Sequence, residues 1–341
     1  MTSPHPVALD DKYTLAHGRA YMSGVHALVR LPLMQKARDA AAGLNTAGFI
    51  SGYRGSPLGT YDVALDAARA HLDAHDVVFQ AGVNEDLAAT ALWGTQQLHL
   101  YDDRTRDGVF GIWYGKGPGV DRSIDVLKHA NLAGSAPHGG VLVLAGDDHA
   151  CQSSTTAHQS EQVLAAAMIP VLNPASVQDY LDFGLLGFAL SRFSGCWIAL
   201  KAIAETVESS AVVDLDPARV RVTIPADFTP PTGGLNLRWP DTPLEQERRL
   251  HGPKMDAVRA FARVNAFDRI VLDAPQARLG IAATGKGYLD VRQALDELGI
   301  DDARANALGI RLYKIGMSWP LEPHRARAFA HGLDEILVVE E

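Results

Sequence analysis

The chain has 341 residues, of which 47% are hydrophobic and 21% are charged, a balance that excludes a wholly disordered or fibrous protein. Lys and Arg number 31 and Asp and Glu number 40, giving a formal net charge of −9 that disfavours nucleic acid and anionic membranes as partners. No apolar run approaches the roughly 20 residues that span a bilayer, and the amino terminus lacks the apolar core of a signal peptide. We therefore expect a cytoplasmic protein.

Metal-type side chains are few. Cys151 and Cys196 are the two cysteines, too few for a self-contained four-cysteine iron–sulfur cluster or zinc site. A structural disulfide is not expected in the cytoplasm, so both are predicted to be thiols. His149 and His158 have acidic neighbours, but their spacing does not fit a helical H-E-x-x-H pair. We expect no metal site made by this chain alone, and polar loop residues lining a pocket are the favoured interpretation.

The first half of the chain alternates short apolar runs with helical segments. A helix is predicted over 31–43, and strands are predicted over 48–53, 77–80, 108–113, 140–145 and 196–201. Strands that are apolar throughout are typical of sheets covered on both faces. Their alternation with helices predicts an α/β fold, with a parallel sheet flanked by helices on both sides.

Three helices in this half have recognisable starts. Asn84 precedes two acids, Glu85 and Asp86, which suit the first turn of a helix. Asp121 opens a second helix and Ser176 caps a third. Behind Asn84, five residues fall on one helical face: Leu87, Ala88, Ala91, Leu92 and Thr95.

Composition changes between about 213 and 253, where proline, glycine and aspartate accumulate as in a connector between domains. We place a first domain at 1–230, the connector at 231–254 and a second domain at 255–341. Downstream, helices are predicted over 250–267, 288–298 and 322–332, and strands over 278–283, 310–315 and 335–339. A final parallel strand with no covering helix after it indicates a truncated domain.

The loops that follow the predicted strands carry the polar residues. Ligands of open α/β sheets bind beyond the carboxyl ends of the strands, and four such loops, at 52–59, 82–85, 114–119 and 146–149, are rich in glycine and polar groups. Arg54, Lys116 and His149 are candidates for binding an anionic substrate, and Glu85 is a candidate for contacting a ring nitrogen or moving a proton. The alternative, that all four are solvated turns, is disfavoured by their number.

One segment resembles a nucleotide-triphosphate loop. Residues Gly280 to Lys286 match G-x-x-x-x-G-K, but Gly287 stands where the magnesium-binding Ser or Thr belongs. The first glycine also falls inside a predicted strand. We therefore favour an ordinary strand-to-helix turn and keep an NTP-dependent enzyme as an open alternative.

The loops together resemble a known family. The region from 31 to about 214 contains GYRGSPLG (52–59), NEDLAA (84–89), YGKGPGVDR (114–122) and GDDH (146–149). It resembles the amino-terminal portion of indolepyruvate ferredoxin oxidoreductases, which are thiamine-diphosphate-dependent 2-oxoacid:ferredoxin oxidoreductases. The later segment, with AATGKGY (282–288) and KIGMSWP (314–320), is similar to the family's transketolase-C-terminal-like domain. The resemblance implies a pyrimidine-type, thiamine-diphosphate-binding sheet followed by a partial transketolase-C-terminal-like α/β domain.

The resemblance also implies roles for single residues. Glu85 would touch the aminopyrimidine ring, where a carboxyl group favours the imino tautomer whose nitrogen removes the thiazolium proton. The alternative for Glu85 is an ordinary first-turn acid that complements the helix dipole. The remaining implied contacts are Gly55 and Asn84 on the cofactor and Arg54, Ser56, Lys116 and His149 on the substrate.

The function implied is part of the oxidative decarboxylation of an aryl or branched 2-oxoacid to acyl-CoA and CO2, with coenzyme A and ferredoxin as partners of the complete enzyme. Relatives continue into a diphosphate-binding domain with a G-D-G…N magnesium motif, which is not found here. Mg²⁺ and 4Fe-4S clusters are therefore expected only with missing domains or a partner. A homo- or hetero-oligomer with a diphosphate-binding domain or subunit is expected. The alternative is a non-catalytic α/β ligand-binding module.

Overall fold

The structure is a computed structural model that describes residues 7–151, 155–265 and 267–340. Its strands are β1 (Arg19–Ser23), β2 (Thr46–Gly52), β3 (Val77–Phe79), β4 (Gly108–Lys116), β5 (Val141–Asp147), β6 (Val171–Leu172), β7 (Ile198–Ile203), β8 (Ser210–Asp214), β9 (Arg269–Asp273), β10 (Leu279–Thr284), β11 (Ile310–Ile315), β12 (Met317–Trp319) and β13 (Glu335–Val339). Its α-helices are α1 (Asp11–Thr14), α2 (Gly24–Ala41), α3 (Tyr61–Ala67), α4 (Arg69–Asp73), α5 (Glu85–Thr95), α6 (Gly117–Ala133), α7 (Glu161–Ala166), α8 (Val177–Ser194), α9 (Ala204–Val207), α10 (Pro243–Arg249), α11 (Met255–Val264), α12 (Gly285–Glu297), α13 (Asp302–Leu308) and α14 (Pro323–Ala330).

The main sheet has seven strands in the order β12-β6-β7-β5-β4-β2-β3. All neighbours are parallel except β12, which pairs antiparallel with β6. The five strands predicted in the first half are all present, and the predicted α/β class is confirmed. The two-residue strand β6 and the three-residue strand β12 were not predicted, because runs this short carry no periodicity.

Helices cover both faces of this sheet. Successive strand residues point to opposite sides, so Ile112 packs in one apolar cluster and Trp113 in the other. The cluster of Ile112 includes residues of α2 and α8, and the cluster of Trp113 includes residues of α5 and α6. Helices α2 and α8 approach closely at Gly184. The lack of a side chain there makes room for Leu31, which a Cβ atom on Gly184 would meet. Burial on both faces explains why strands β5 and β7 are largely apolar, with one charged residue each, Asp147 and Lys201.

The predicted helices are present with shifted ends. The predicted caps Asn84 and Ser176 each accept a hydrogen bond from a first-turn backbone N–H. Helix α2 begins at Gly24 and continues through Pro32, and α6 begins at Gly117, four residues before the predicted start. The face predicted behind Asn84 is only partly buried, because Leu87 is exposed whereas Ala88 and Leu92 are enclosed.

The second sheet has four strands in the order β13-β10-β11-β9. Strands β10, β11 and β13 are parallel, and β9 pairs antiparallel with β11. Strands β11 and β13 have the predicted bounds, and β10 differs by one residue at each end. Strand β9 and helix α13 were not predicted. Within the described part of the chain, no helix combines the length and apolar character needed to cross a membrane.

The region between the two sheets is not an extended connector throughout. Strand β8 pairs with β1 as an antiparallel ribbon, and α10 starts with a capping box between Thr242 and Glu245. The helix predicted from 250 becomes regular only at Met255, because Gly252 has non-helical dihedral angles. The predicted domain limits stay a prediction.

The two sheets are joined by direct contacts. Strand β12 follows the second sheet's β11 in the chain but pairs in the main sheet. The ammonium group of Lys314 donates to Asp179 at 2.5 Å, and both side chains are buried. The ring of Phe183 also packs edge-on against Phe267, with centroids 5.7 Å apart. The second sheet is therefore held against helix α8 by both charge and apolar packing.

Candidate functional site

Three of the four predicted loops lie side by side at the carboxyl edge of the main sheet. In the parallel register, Gly52 is opposite Tyr114, and Lys116 is opposite Gly146. A Cβ atom on Gly55 would lie 2.8 Å from Cδ of Lys116. The loops at 52–59, 114–119 and 146–149 therefore form one surface, at the edge where α/β sheets bind ligands.

The fourth loop joins them through Gly82 and Glu85. The backbone N–H of Gly82 donates to the carbonyl of Gly52 at 2.8 Å. A Cβ atom on Gly119 would lie 2.8 Å from Oε1 of Glu85, so the carboxylate rests against the backbone at the start of α6. All four glycine-rich loops therefore lie together at the carboxyl edge of the main sheet.

Local geometry fixes the backbone of Glu85. Asn84 has extended dihedral angles, and its Oδ1 accepts from the N–H of Leu87 at 2.9 Å, which starts α5 at Glu85. The indole N–H of Trp113, on strand β4, donates to the backbone carbonyl of Glu85 at 3.1 Å. The side-chain oxygen of Asn84 is thus used by the helix cap, and Glu85 is tied to the sheet.

The carboxylate of Glu85 is the distinctive group of this site. The residue is only 7% exposed. Its nearest charged partner is Arg122 on α6, with Nη1 3.8 Å from Oε2, beyond hydrogen-bond distance. Within the residues that the structure describes, no hydrogen bond to this carboxylate is formed. The oxygens of Glu85 are not among the fully enclosed, unpartnered atoms of the described residues, so they retain access from the site and can accept a hydrogen bond from a ligand.

The other predicted site residues lie on the neighbouring loops and differ in burial. Gly55 and the stem of Lys116 are in contact, and Lys116 ends β4 at the N-cap of α6. Arg54 is exposed at the rim, and Ser56 and His149 are half-buried. Among the described contacts, neither Arg54 nor Ser56 forms a hydrogen bond or ion pair with Glu85.

A second set of titratable groups lies near Gly117, at the turn from β4 into α6. His158 packs directly against Gly117, and its Nε2 lies 2.7 Å from Oδ2 of Asp121. Asp147, at the end of β5, is buried and accepts from both the N–H and the hydroxyl of Ser160, at 2.9 and 2.6 Å. Burial raises the pKa of Asp147. The sequence alone singles out His158 but not its partner Asp121, which it predicts only to open a helix.

No metal centre is formed by the described ranges: no group of three or more His, Cys, Asp or Glu side chains is placed to hold an ion. A cavity of about 380 Å³ lies between the two sheets, lined by Asn173, Lys201, Thr284 and Trp319 among others. Glu85 does not line it. Lys201 in this cavity is paired with Glu161 at 2.5 Å.

The segment that resembles a nucleotide-triphosphate loop has a different structure. Gly280 lies inside β10, where a Cβ atom would come within 2.8 Å of the ring of Phe329. Gly285 adopts a left-handed φ of 52° against Asn173, and Lys286 pairs with Asp290 one helical turn ahead at 2.7 Å. The segment is therefore an ordinary strand-to-helix turn, as its sequence predicts.

Part of the chain matches a known family model, and the whole chain is similar to curated proteins. Residues 269–341 match a family model described as an indolepyruvate oxidoreductase domain. The chain is 25% identical over 342 residues to indolepyruvate oxidoreductase subunit IorA of Methanothermobacter marburgensis, covering 98% of this chain and 48% of that protein. It is 26% identical over 211 residues to the same subunit of Pyrococcus horikoshii, covering 60% of this chain and 31% of that protein. The chain spans about half the length of the first of these relatives.

Solved structures share the fold at lower sequence identity. A 2-oxoglutarate:ferredoxin oxidoreductase from Magnetococcus marinus, with 2-oxoglutarate, coenzyme A and succinyl-CoA bound, has a TM-score of 0.69 at 15% identity, covering 94% of this chain and 57% of that chain. Transketolase from Leishmania mexicana has a TM-score of 0.52 at 12% identity, covering 96% and 40%. These likenesses confirm the predicted fold class. The family model and the relatives together support the resemblance drawn from the loops.

Proposed function

We propose that this chain, which matches an indolepyruvate oxidoreductase domain at residues 269–341 and is 25% identical to an IorA subunit, supplies the pyrimidine half of a thiamine diphosphate site in a 2-oxoacid oxidoreductase. The observation that supports this most directly is the carboxylate of Glu85, which is buried against Gly119 and, among the described residues, accepts no hydrogen bond. Such a group suits the ring nitrogen of an aminopyrimidine.

The residues present fit this cofactor. Glu85 begins α5, and its backbone is held by the Asn84 cap and by Trp113. The carboxyl group therefore extends from a fixed backbone position, from which it can bind a ring nitrogen and exchange a proton with it. Thiamine diphosphate, when bound, supplies a thiazolium carbon nucleophile for decarboxylation of a 2-oxoacid. The role of the chain is to bind and orient the pyrimidine ring.

The cationic rim suits a substrate carboxylate. Arg54 and Ser56 stand on one loop, and Lys116 on the neighbouring loop contacts Gly55 between them in the chain. We assign Arg54, Ser56, Lys116 and His149 to the carboxylate of an aryl or branched 2-oxoacid, because cations and hydroxyls on one sheet edge are the usual carboxylate ligands. Coenzyme A, ferredoxin, Mg²⁺ and iron–sulfur clusters belong, in this proposal, to the complete enzyme and its diphosphate-binding domain or subunit.

Substitution of Glu85 tests the proposal. In the complete enzyme that contains this chain, Glu85→Gln is expected to lower oxoacid-dependent dye reduction by roughly 100-fold or more, since the amide cannot move the proton. The matched control is Glu205→Gln, which changes an exposed first-turn acid of α9 and should leave turnover unchanged. Wild-type turnover in the Glu85 variant contradicts the assignment. Thiamine diphosphate binding without any turnover in the wild type favours the non-catalytic module.

A further inference from the structure

Arg122 connects the buried carboxylate of Glu85 to the protein surface. Its Nη1 lies 3.8 Å from Glu85, and its Nε donates to Oδ2 of the adjacent Asp86 at 3.1 Å. The other oxygen of Asp86 accepts from the hydroxyl of Ser123 at 3.1 Å. One guanidinium on α6 is therefore shared between two consecutive acids at the start of α5, and the closer contact is with Asp86.

The two acids differ in burial. The side chain of Glu85 is 9% exposed, that of Asp86 is 40% exposed, and that of Arg122 is 54% exposed. An ion pair this exposed contributes little to stability, so moving this guanidinium costs little. Asp86 and solvent are able to retain Arg122 after it leaves Glu85, whereas Glu85 needs a new partner inside the site.

We propose that Arg122 is a displaceable counter-ion, which is shared between Glu85 and Asp86 in the free chain and is held by Asp86 alone when a ring nitrogen binds. This inference rests on the proposed function, because the incoming group is the aminopyrimidine. The incoming ring must replace the ion pair, and so Arg122 lowers the affinity for the cofactor. Asp86 raises the affinity, because it stabilises the displaced guanidinium.

Two substitutions are expected to change affinity in opposite directions. Arg122→Gln removes the competitor and should tighten thiamine diphosphate binding by roughly two- to fivefold, the range of a partly exposed ion pair. In Asp86→Asn, Glu85 is the one remaining acid that pairs with Arg122 among the described contacts. This substitution should therefore weaken thiamine diphosphate binding by a similar factor. If Arg122 is the mediator, Asp86→Asn has no further effect in the Arg122→Gln background. Arg122→Lys, which keeps the charge, should restore affinity toward the wild-type value.

The measurement is the dissociation constant of thiamine diphosphate with Mg²⁺, by calorimetry and by quenching of tryptophan fluorescence, in the complete enzyme that contains this chain. Melting temperatures of all variants separate lost folding from changed binding. The matched control is Arg219→Gln, whose side chain is 42% exposed and pairs with Asp182 at 2.9 Å far along the chain. That variant should bind as the wild type does.

The outcomes separate the two proposals. Tighter binding in Arg122→Gln and weaker binding in Asp86→Asn support the displaceable counter-ion. Unchanged or weaker binding in Arg122→Gln, with binding lost in Glu85→Gln, overturns this inference and leaves the proposed function standing. A wild-type enzyme that binds no thiamine diphosphate overturns both.

Discussion

The indole N–H of Trp113 donates to the backbone carbonyl of Glu85 at 3.1 Å, which ties the first residue of α5 to a buried strand of the main sheet. Trp113 is fully buried, and its ring also lies against Gly115 at the end of the same strand. The position of Glu85 at the start of α5 is therefore set by the sheet and not by the helix alone.

Trp113→Phe is expected to destabilise the chain by about 1–2 kcal/mol, because it removes this hydrogen bond and part of the buried ring. The matched control is Trp197→Phe: the indole N–H of Trp197 is buried and has no hydrogen-bond partner within the described residues. That variant loses a similar area but no hydrogen bond, so its cost should be smaller. Urea unfolding of both variants measures the difference, and equal losses would show that the bond to Glu85 contributes nothing.

The sequence was sufficient to predict that Glu85 starts a helix, but not which residues contact its side chain. Asn84 followed by two acids is a local signal, and it predicted both the cap and the first residue of α5. The contacts of Glu85 with Gly119 and Arg122 join two helices, and such tertiary contacts leave no mark in local spacing. For the same reason the pairing of β12 with β6 was not foreseen, since it links strands far apart in the chain.

The predicted connector contains a buried cation that makes stability depend on pH. Lys254 is fully buried, and its ammonium group donates to the carbonyl of Gly195 at 3.2 Å and to those of Asn131 and Leu132 at 3.5 Å. Burial lowers the pKa of Lys254 to about 8. Between that value and the ordinary lysine pKa near 10.4, the unfolded chain binds more protons than the folded chain, so the free energy of unfolding rises with pH.

Comparison with Lys254→Met isolates this effect. Relative to the variant, the wild-type free energy of unfolding should increase by about 1–3 kcal/mol from pH 7.5 to pH 10, because the wild type then no longer buries a charge. Urea unfolding of both proteins at both pH values gives four free energies of unfolding. Subtracting the change in the variant from the change in the wild type removes the contribution of other titrating groups. An identical pH dependence in the two proteins would show that Lys254 titrates normally.

The contact between Gly119 and Glu85 gives the sharpest test of the site. A Cβ atom at position 119 would lie 2.8 Å from Oε1 of Glu85, so Gly119→Ala must displace the carboxylate. The substitution lies inside α6, where alanine is favoured over glycine by about 1 kcal/mol, and the fold should tolerate it. The carboxylate is expected to move from its productive position, and thiamine diphosphate binding by the complete enzyme should weaken by roughly tenfold or more.

The control is Gly94→Ala in α5, where a Cβ atom would meet nothing within 4 Å. That variant should gain about 0.5–1 kcal/mol of stability from helix propensity and bind the cofactor normally. Calorimetric titration with Mg²⁺ and thiamine diphosphate, beside thermal unfolding, separates the two effects. Because both substitutions add one methyl group to a helix, weakened binding in Gly119→Ala alone is attributable to Glu85, and equal affinity in the two variants would contradict a role for this carboxylate in binding.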